Sequence, residues 1–468
     1  MNTPICDFVQ NYADGGQLRF HMPGHKGRGV LGVENRDITE IEGADVLYRA
    51  NGIIKGSEEN AAHLFGTAKT KYSTEGSSLS IRAMLYLVML YAKSIGREPL
   101  ILAGRNAHHT FMTAAALLDL RVNWLYPEKW ESLVACEITA EYLDRVLSRM
   151  EAGTQGQPYG KKTDAVPGGK CGKPAAVYVT SPDYLGNVAD IAGLSAVCRK
   201  HGVLLVVDNA HGAYLNFLQS NRHPIALGAD MCCDSAHKTL PVLTGGGYLH
   251  ISGNAPKLFS EQAEKAMSLF ASTSPSYLIM QSLDAANKYL ADGYAERLAA
   301  FVEKVTELKA HLQQYGYTLL GNEPLKLTIA PKNFGYTGEE LAGILSEQGI
   351  VCEFADPDFV VMMFTPEISQ DSLEYLTTVL CSVPRKVSIT TKPPMLSKPT
   401  LVCSIREALF AISREVPVSE CLGQVLASTS VACPPAVPIV VCGERIDADA
   451  VKCLEYYGVE SCRVVEMI

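Results

Sequence analysis

Apolar segments of strand length alternate with segments of helical pattern between residues 99 and 238. Strands that alternate with helices form a mostly parallel sheet with helices on both faces. Ligands of such sheets bind at the carboxyl ends of the strands. The alternation therefore predicts an α/β fold with a binding site at one rim of the sheet. The predicted strands are PLILAGR, RVNWLYP, PAAVYVTSP, VLLVVDNA and ADMCCDSAHK, and the predicted helices are HHTFMTAAALLDL, ITAEYLDRVLSRME and IAGLSAVCRKHG.

The rest of the chain indicates an arm and further domains. Residues 1–60 are rich in Gly, His and charge without sustained periodicity, which predicts an extended arm with short helices. A helical pattern over residues 281–316 leads into a smaller α/β region, and the segment KPPMLSKP indicates a linker. Since 468 residues are too many for one small domain, we predict an arm at 1–60, a large domain at 61–300, a small α/β domain at 301–388 and a C-terminal domain at 389–468.

Charge, cysteine content and hydropathy argue against several classes of protein. A net charge of −9 argues against a nucleic-acid-binding surface, which would show clustered Lys and Arg. The 14 cysteines are scattered, apart from the adjacent Cys232-Cys233, so we expect reduced thiols and neither a disulfide framework nor a metal site. The first thirty residues lack a signal core, and the longest apolar stretch, Met84 to Ala92, is too short to span a bilayer. We therefore expect a cytoplasmic protein with no nucleic-acid or membrane partner.

Two ionisable side chains follow predicted strands of the sheet. One strand ends in Asp208, and thirty residues later another leads into Asp234-Ser235-Ala236-His237-Lys238. A lysine amine can hold an aldehyde cofactor as an imine, while a carboxylate keeps a pyridine nitrogen protonated and makes the ring an electron sink. The alternatives are that Asp208 caps the next helix and that Lys238 is a solvated surface lysine.

Two further segments are candidates for the same rim. Tyr72-Ser73-Thr74-Glu75-Gly76-Ser77-Ser78 precedes a strong helix, so its hydroxyl and amide groups would face an anion at the positive helix end. An ordinary helix N-cap is the alternative. Arg105-Asn106-Ala107-His108-His109-Thr110 follows another strand, and one of its histidines could stack on an aromatic cofactor. A pair of surface histidines is the alternative there.

Short motifs run in order through nearly the whole chain. They are HMPGHKG (21–27), DITE (37–40), GAD (43–45), STEGS (73–77), TSPDYLG (180–186), DNAHGA (208–213), DSAHKTL (234–240), STSPSY (272–277), SLD (282–284), REALF (406–410), PPAVP (434–438) and GER (443–445). In these motifs the chain resembles the bacterial-type Orn/Lys/Arg decarboxylases, which are pyridoxal 5'-phosphate (PLP) enzymes of the aspartate-aminotransferase-like fold. The resemblance implies PLP-dependent fold type I, with a mostly parallel sheet flanked by helices, a smaller α/β domain and a C-terminal domain.

The resemblance also implies a role for each residue of the site. Lys238 would bind PLP as a Schiff base, Asp208 would pair with the pyridinium nitrogen, and His108 would stack on the ring. His211 would lie beside the ring, and Lys238 or His237 would return a proton to the substrate. Residues from the neighbouring subunit would reach the phosphate, so a homodimer would be the minimal active unit. The phosphate ligands would be Thr74, Gly76, Ser77, Ser235 and His237, with Ser272, Thr273 and Ser274 from the neighbouring subunit.

The chain departs from the family pattern at several positions. His109-Thr110 stands where the family usually has Lys-Ser, Asp183 replaces a Thr, and Asn209 replaces a Glu. Residues 151–173 look like an insertion, and their glycines and lysines predict a mobile surface loop. None of these changes falls on the lysine or the aspartate expected to bind PLP.

The reaction that the resemblance implies is decarboxylation of a basic L-amino acid, namely arginine, lysine or ornithine, to the amine and CO2, as in polyamine metabolism. Transamination or aldol-type cleavage would need the same lysine and aspartate, and a non-catalytic regulatory relative is a further alternative. A basic side chain would need a carboxylate at the pocket. The candidates, each of which could instead be a surface acid, are Glu42, Asp45, Glu353, Asp356, Glu407 and Glu444.

Overall fold

The computed structural model describes residues 1–128, 132, 134–152, 172–395, 397–429 and 437–466. Most of the predicted loop 151–173 and the first part of the motif at 434–438 lie outside the described residues. The helices are α1 (Pro4–Asp14), α2 (Ile53–Phe65), α3 (Gly76–Ser94), α4 (His109–Leu118), α5 (Ala140–Glu151), α6 (Ile191–Lys200), α7 (Ala236–Thr239), α8 (Lys257–Ser268), α9 (Tyr277–Ala291), α10 (Tyr294–Tyr315), α11 (Gly338–Glu347), α12 (Gln370–Ser382), α13 (Ile405–Phe410) and α14 (Ala448–Tyr456). The strands are β1 (Lys69–Ser73), β2 (Leu100–Gly104), β3 (Arg121–Leu125), β4 (Ala176–Thr180), β5 (Leu204–Asp208), β6 (Met231–Asp234), β7 (Gly247–Ile251), β8 (Thr318–Leu320), β9 (Lys326–Ala330), β10 (Phe354–Ala355), β11 (Val360–Met363), β12 (Ser413–Pro417) and β13 (Ser461–Val465).

The chain divides by its internal contacts into two units. The first consists of Met1–Tyr91 and Leu204–Ala299, and the second of Ala92–Val203 and Ala300–Ile468. The division of the sequence into an arm and three domains stays a prediction.

Strands of the first unit lie in the order β1-β7-β6-β5. β5 and β6 are parallel, with Asp208 opposite Cys233, whereas β7 runs antiparallel to both β6 and β1. Nearly every residue of these strands is buried, as expected for a sheet covered on both faces. Because β5 and β6 run in the same direction, the segments that follow Asp208 and Asp234 begin at the same rim.

A buried carboxylate attaches the N-terminal arm to the first unit. Asp284 of α9 accepts hydrogen bonds from the backbone N–H groups of Ile5 and Cys6, both at 2.9 Å, and another from the Ser57 hydroxyl of α2. The backbone N–H groups at a helix start have no partner within their helix, so this carboxylate supplies one for α1. Residues 15–52 form neither helix nor strand.

The second unit contains three groups of strands. β4, β2 and β3 lie side by side and parallel, β10-β11-β9-β8 form an antiparallel sheet, and β12 pairs with β13. Apolar side chains of β12, β13 and α14 share one core, which includes Val416, Leu454 and Val464. The parallel strands and the helices α4, α5 and α6 lie where the sequence pattern predicts them.

The observed helices and strands differ from the predicted ones at two places. The continuous helical pattern 281–316 is two helices, because α9 ends at Ala291 and Gly293, with φ +73°, separates it from α10. The antiparallel strand β7 lies beyond the predicted alternation and begins at Gly247, the last of three consecutive glycines. None of the helices in the described part of the chain combines the length and apolar character needed to cross a membrane.

Candidate active site

A one-turn helix places the predicted cofactor lysine. β6 ends at Asp234, Ser235 precedes α7, and the N–H of Lys238 donates to Ser235 O at 2.9 Å. Lys238 is partly buried, and its Nζ lies 3.0 Å from Nε2 of the buried His211. The amine thus lies in the first unit against the segment that follows β5. Lys238 is therefore not a solvated surface lysine.

The carboxylate of Asp208 is buried at the end of β5. Its side chain is 2 % exposed, and Oδ1 lies 3.2 Å from Ala210 N and 3.5 Å from Cys233 Sγ. The next helical segment is a 3-10 turn at Ala213–Phe217 whose N-cap is Gly212, so Asp208 is not a helix cap. A buried carboxylate next to the lysine-bearing strand has the placement needed to keep a pyridine nitrogen protonated.

Hydroxyl and N–H groups converge where β1 turns into α3. Ser73 Oγ donates to Gly76 O at 2.7 Å and accepts from Glu75 N, while Gly76 N donates to Gly245 O. Ser77, in the first turn of α3, accepts a hydrogen bond of 2.9 Å from Ser235 Oγ. The start of a helix with two serine hydroxyls is suited to a phosphate, because the N–H groups and the dipole at a helix N-terminus favour an anion.

Two glycines that the sequence analysis missed allow this close packing. A Cβ at Gly247 would lie 2.9 Å from Asp234 O and 3.0 Å from Gly76 C, and one at Gly245 would lie 2.9 Å from Thr74 O. Gly245 also has φ +100°, a conformation that favours glycine. The run of three glycines after the lysine motif was the available signal for a close backbone approach.

His237 lies beside the same turn. Its Nδ1 donates to Gly246 O at 2.8 Å, and its Cε1 is 3.5 Å from the position of a Cβ on Gly76. Burial, together with the nearby Lys238 charge, lowers the pKa of His237. A neutral ring with its hydrogen on Nδ1 carries a lone pair on Nε2, so Nε2 is the atom that can take up and return a proton.

The remaining predicted residues have other surroundings. Ser272 N donates to Glu75 Oε1 at 2.8 Å, Ser274 N donates to Ser272 Oγ, and residues 272–274 are exposed. His108 belongs to the second unit, where its Nδ1 accepts from Thr110 N at the start of α4 and its ring lies 4.3 Å from that of His109. The first unit thus brings together the lysine, aspartate, His211 and phosphate-turn residues, and His108 is not among them.

Most of the candidate substrate-binding carboxylates have partners within the protein. Glu444 is buried against Arg105 at 2.9 Å, and Glu407 forms a capping box with Ser404 at the start of α13. Tyr184 OH donates to Glu353 Oε1 at 3.1 Å. Backbone N–H groups donate to Asp45 and Asp356. These contacts give five of the six acids a structural role, and the choice of a substrate-binding carboxylate stays open.

The residues of the first unit fit PLP. They include a primary amine for the aldehyde, a buried carboxylate for the ring nitrogen, and hydroxyl and N–H groups at a helix start for the phosphate. Lys238, Asp208, His211, Ser77, Ser235 and Gly76 are the residues that could hold it.

Asp183, which replaces a Thr of the family pattern, leads to a prediction about how stability depends on pH. The buried carboxyl accepts from Asn187 N at 2.9 Å and from Asn187 Nδ2 at 2.7 Å, and burial raises the pKa of Asp183 to about 6. An unfolded aspartate titrates near pH 4, so the folded chain binds more protons between about pH 4 and 6. The free energy of unfolding of the wild type, relative to Asp183→Asn, should fall by up to about 3 kcal/mol as the pH rises through this window. Urea unfolding at several pH values measures it, and a difference independent of pH contradicts it.

Comparisons with known proteins agree with this chemistry. The family model for the major domain of Orn/Lys/Arg decarboxylases matches residues 3–320. The arginine decarboxylase of Bacillus subtilis (strain 168) is 27% identical over 96% of this chain and 92% of that protein. The arginine decarboxylase of Halalkalibacterium halodurans is 28% identical over 95% of this chain and 91% of that protein.

Solved structures show the same fold. Lysine decarboxylase A from Pseudomonas aeruginosa superposes with a TM-score of 0.80 at 18% identity, over 99% of this chain and 80% of that chain. The lysine decarboxylase of Francisella novicida superposes with a TM-score of 0.77 at 16% identity, over 99% of this chain and 81% of that chain. The predicted fold type I is thereby confirmed. The chain belongs to the Orn/Lys/Arg decarboxylase family and is a PLP-dependent amino-acid decarboxylase.

Proposed function

We propose that the chain decarboxylates a basic L-amino acid, arginine first among them, with Lys238 as the residue that binds PLP covalently. The observation that carries the assignment of Lys238 is its position: the amine lies 3.0 Å from His211, which follows the strand that ends in the buried Asp208. Arginine comes first because it is the substrate in the names of the relatives from Bacillus subtilis and Halalkalibacterium halodurans.

Each residue of the first unit has a distinct task in this proposal. Bound PLP supplies the electron sink that accepts the electron pair left when CO2 departs. Asp208 holds a proton on the ring nitrogen, because a buried carboxylate stabilises the adjacent positive charge. His211 orients the amine of Lys238 through the 3.0 Å contact. Lys238, or His237 through Nε2, returns a proton to the α-carbon.

The phosphate has a separate set of partners. We assign it to Thr74, Gly76, Ser77 and Ser235, because Ser235 and Ser77 already share a hydrogen bond at the start of α3. His237 joins them when its Nε2 carries a proton and can donate to the phosphate. His108 is assigned to the face of the ring by the resemblance. The same resemblance assigns Ser272, Thr273 and Ser274 to the phosphate of a neighbouring subunit, in a cytoplasmic homodimer or larger assembly that acts in polyamine metabolism.

A substrate panel tests the proposed reaction. The purified protein, saturated with PLP, is incubated with arginine, lysine and ornithine, and CO2, amine and keto acid are measured together. We expect equal amounts of CO2 and of agmatine, cadaverine or putrescine, with arginine consumed fastest. Keto acid without CO2 would show transamination instead. A protein that binds PLP but converts none of the three substrates would support the regulatory alternative.

A further inference from the structure

A second group of polar side chains is buried on the face of β6 that points away from Asp208. His223, Asp234 and His250 are each fully buried, and they are the group within the described residues whose donor atoms converge as metal ligands do. Asp234 Oδ2 lies 3.1 Å from His223 Nε2 and 3.3 Å from His250 Nε2. Cys232 Sγ lies 3.9 Å from His223 Nε2.

Strand register explains how these residues meet. Successive side chains of a strand point to opposite faces, so Cys232 and Asp234 share one face of β6, while Cys233 points with Asp208 to the other. His250 stands opposite Cys232 in the antiparallel pair of β6 and β7. The cluster therefore lies across the sheet from the face of Asp208.

One nitrogen of His250 is paired and the other is not. Nδ1 lies 2.9 Å from Thr70 Oγ1, which in turn lies 2.7 Å from Thr67 Oγ1. Nε2 has no hydrogen-bond partner among the described residues, although a carboxylate oxygen lies 3.3 Å away.

An unpaired ring nitrogen in a dry interior needs a partner. A metal cation satisfies His250 Nε2 and the Asp234 carboxylate at once. Donors about 2.1 Å from one ion lie roughly 3.0 to 3.4 Å apart. The distances of 3.1 and 3.3 Å from Asp234 Oδ2 to the two imidazole nitrogens match this spacing.

We propose that His223, His250 and Asp234 bind a divalent transition metal ion of the zinc type. Two imidazoles and one carboxylate are donors that zinc accepts. Two of these ligands are themselves held by outer partners. His250 Nδ1 lies 2.9 Å from Thr70 Oγ1, and Asn209 Nδ2 donates to Asp234 Oδ1 at 2.7 Å.

Metal content of the full-length protein tests this site independently of catalysis. The protein is produced with a tag that lacks histidine, dialysed, and measured by plasma mass spectrometry. We expect about one zinc per chain in the wild type and at least about tenfold less in His250→Gln and His223→Gln. His201→Gln is the matched control, since His201 is also buried and contacts the carboxylates of Asp144 and Glu151. It should keep the zinc.

A refolding experiment with the wild-type protein tests the site even if the variants do not fold. Wild-type protein is unfolded with a chelator and refolded with PLP in the presence or absence of zinc. Zinc should be incorporated at about one ion per chain and should raise the midpoint of thermal unfolding. Wild-type protein that takes up no zinc during refolding, or equal zinc in the wild type and His250→Gln, would overturn the proposal.

Discussion

We expect Lys238→Ala to lower the rate of decarboxylation by about 10³-fold or more, because it removes both the proposed covalent anchor of the cofactor and a proton donor. The visible absorbance of lysine-bound PLP should disappear in the same variant. The amine that is removed is the one that lies 3.0 Å from His211. Release of CO2 at saturating PLP and the absorption spectrum measure the two effects.

Lys257→Ala is the matched control for this experiment. Lys257 is an exposed lysine at the start of α8 in the same unit, so its removal should leave the rate and spectrum as in the wild type. Urea unfolding of both variants separates loss of chemistry from loss of fold. If Lys238→Ala is folded and keeps the absorbance and the activity, another lysine binds the cofactor.

Much of the fold could be predicted because its strands are short apolar runs with turn residues at their ends. β2, β3, β4, β5 and β6 all lie within predicted segments. β2, β4 and β5 are almost wholly buried and therefore mostly apolar along their length, whereas β3 is partly buried. β7 was not predicted, because it pairs antiparallel at the edge of the alternation and begins in a glycine run. The break at Gly293 was missed because one glycine hardly changes a helical pattern of this length.

The candidate site could be predicted where it depends on strand ends. Asp208 and Lys238 follow parallel neighbouring strands, and the direction of those strands brings them to one rim. The cluster of His223, Asp234 and His250 has no such signal, because its members are spaced irregularly along the chain and only the register of β6 with β7 brings two of them together. Spacing rules for metal ligands do not detect a site of this kind.

A buried ion pair in the second unit is likewise not detectable from the spacing of its residues along the chain. Breaking this pair has the largest expected effect on stability. Arg105 and Glu444 are 1% and 2% exposed and lie 2.9 Å apart, although 339 residues separate them. The guanidinium also donates to Pro438 O and Ile439 O, each at 3.2 Å, and Val441 N donates to Glu444 Oε2 at 2.6 Å. The pair therefore fixes the loop before Arg445 onto the segment that follows β2.

Glu444→Gln should lower the free energy of unfolding by about 3 to 5 kcal/mol, because it leaves the Arg105 charge buried without a counter-ion. Replacing both partners, as in Arg105→Met with Glu444→Met, should recover most of the loss, since no uncompensated charge then remains. Glu98→Gln, which breaks the exposed pair with Arg121, should cost less than about 1 kcal/mol. Urea unfolding measures all three.

Glu444 was also a candidate for binding the substrate side chain, and the same variants decide that question. A raised KM for arginine with unchanged stability would place Glu444 in the substrate pocket and contradict its role as the counter-ion of Arg105.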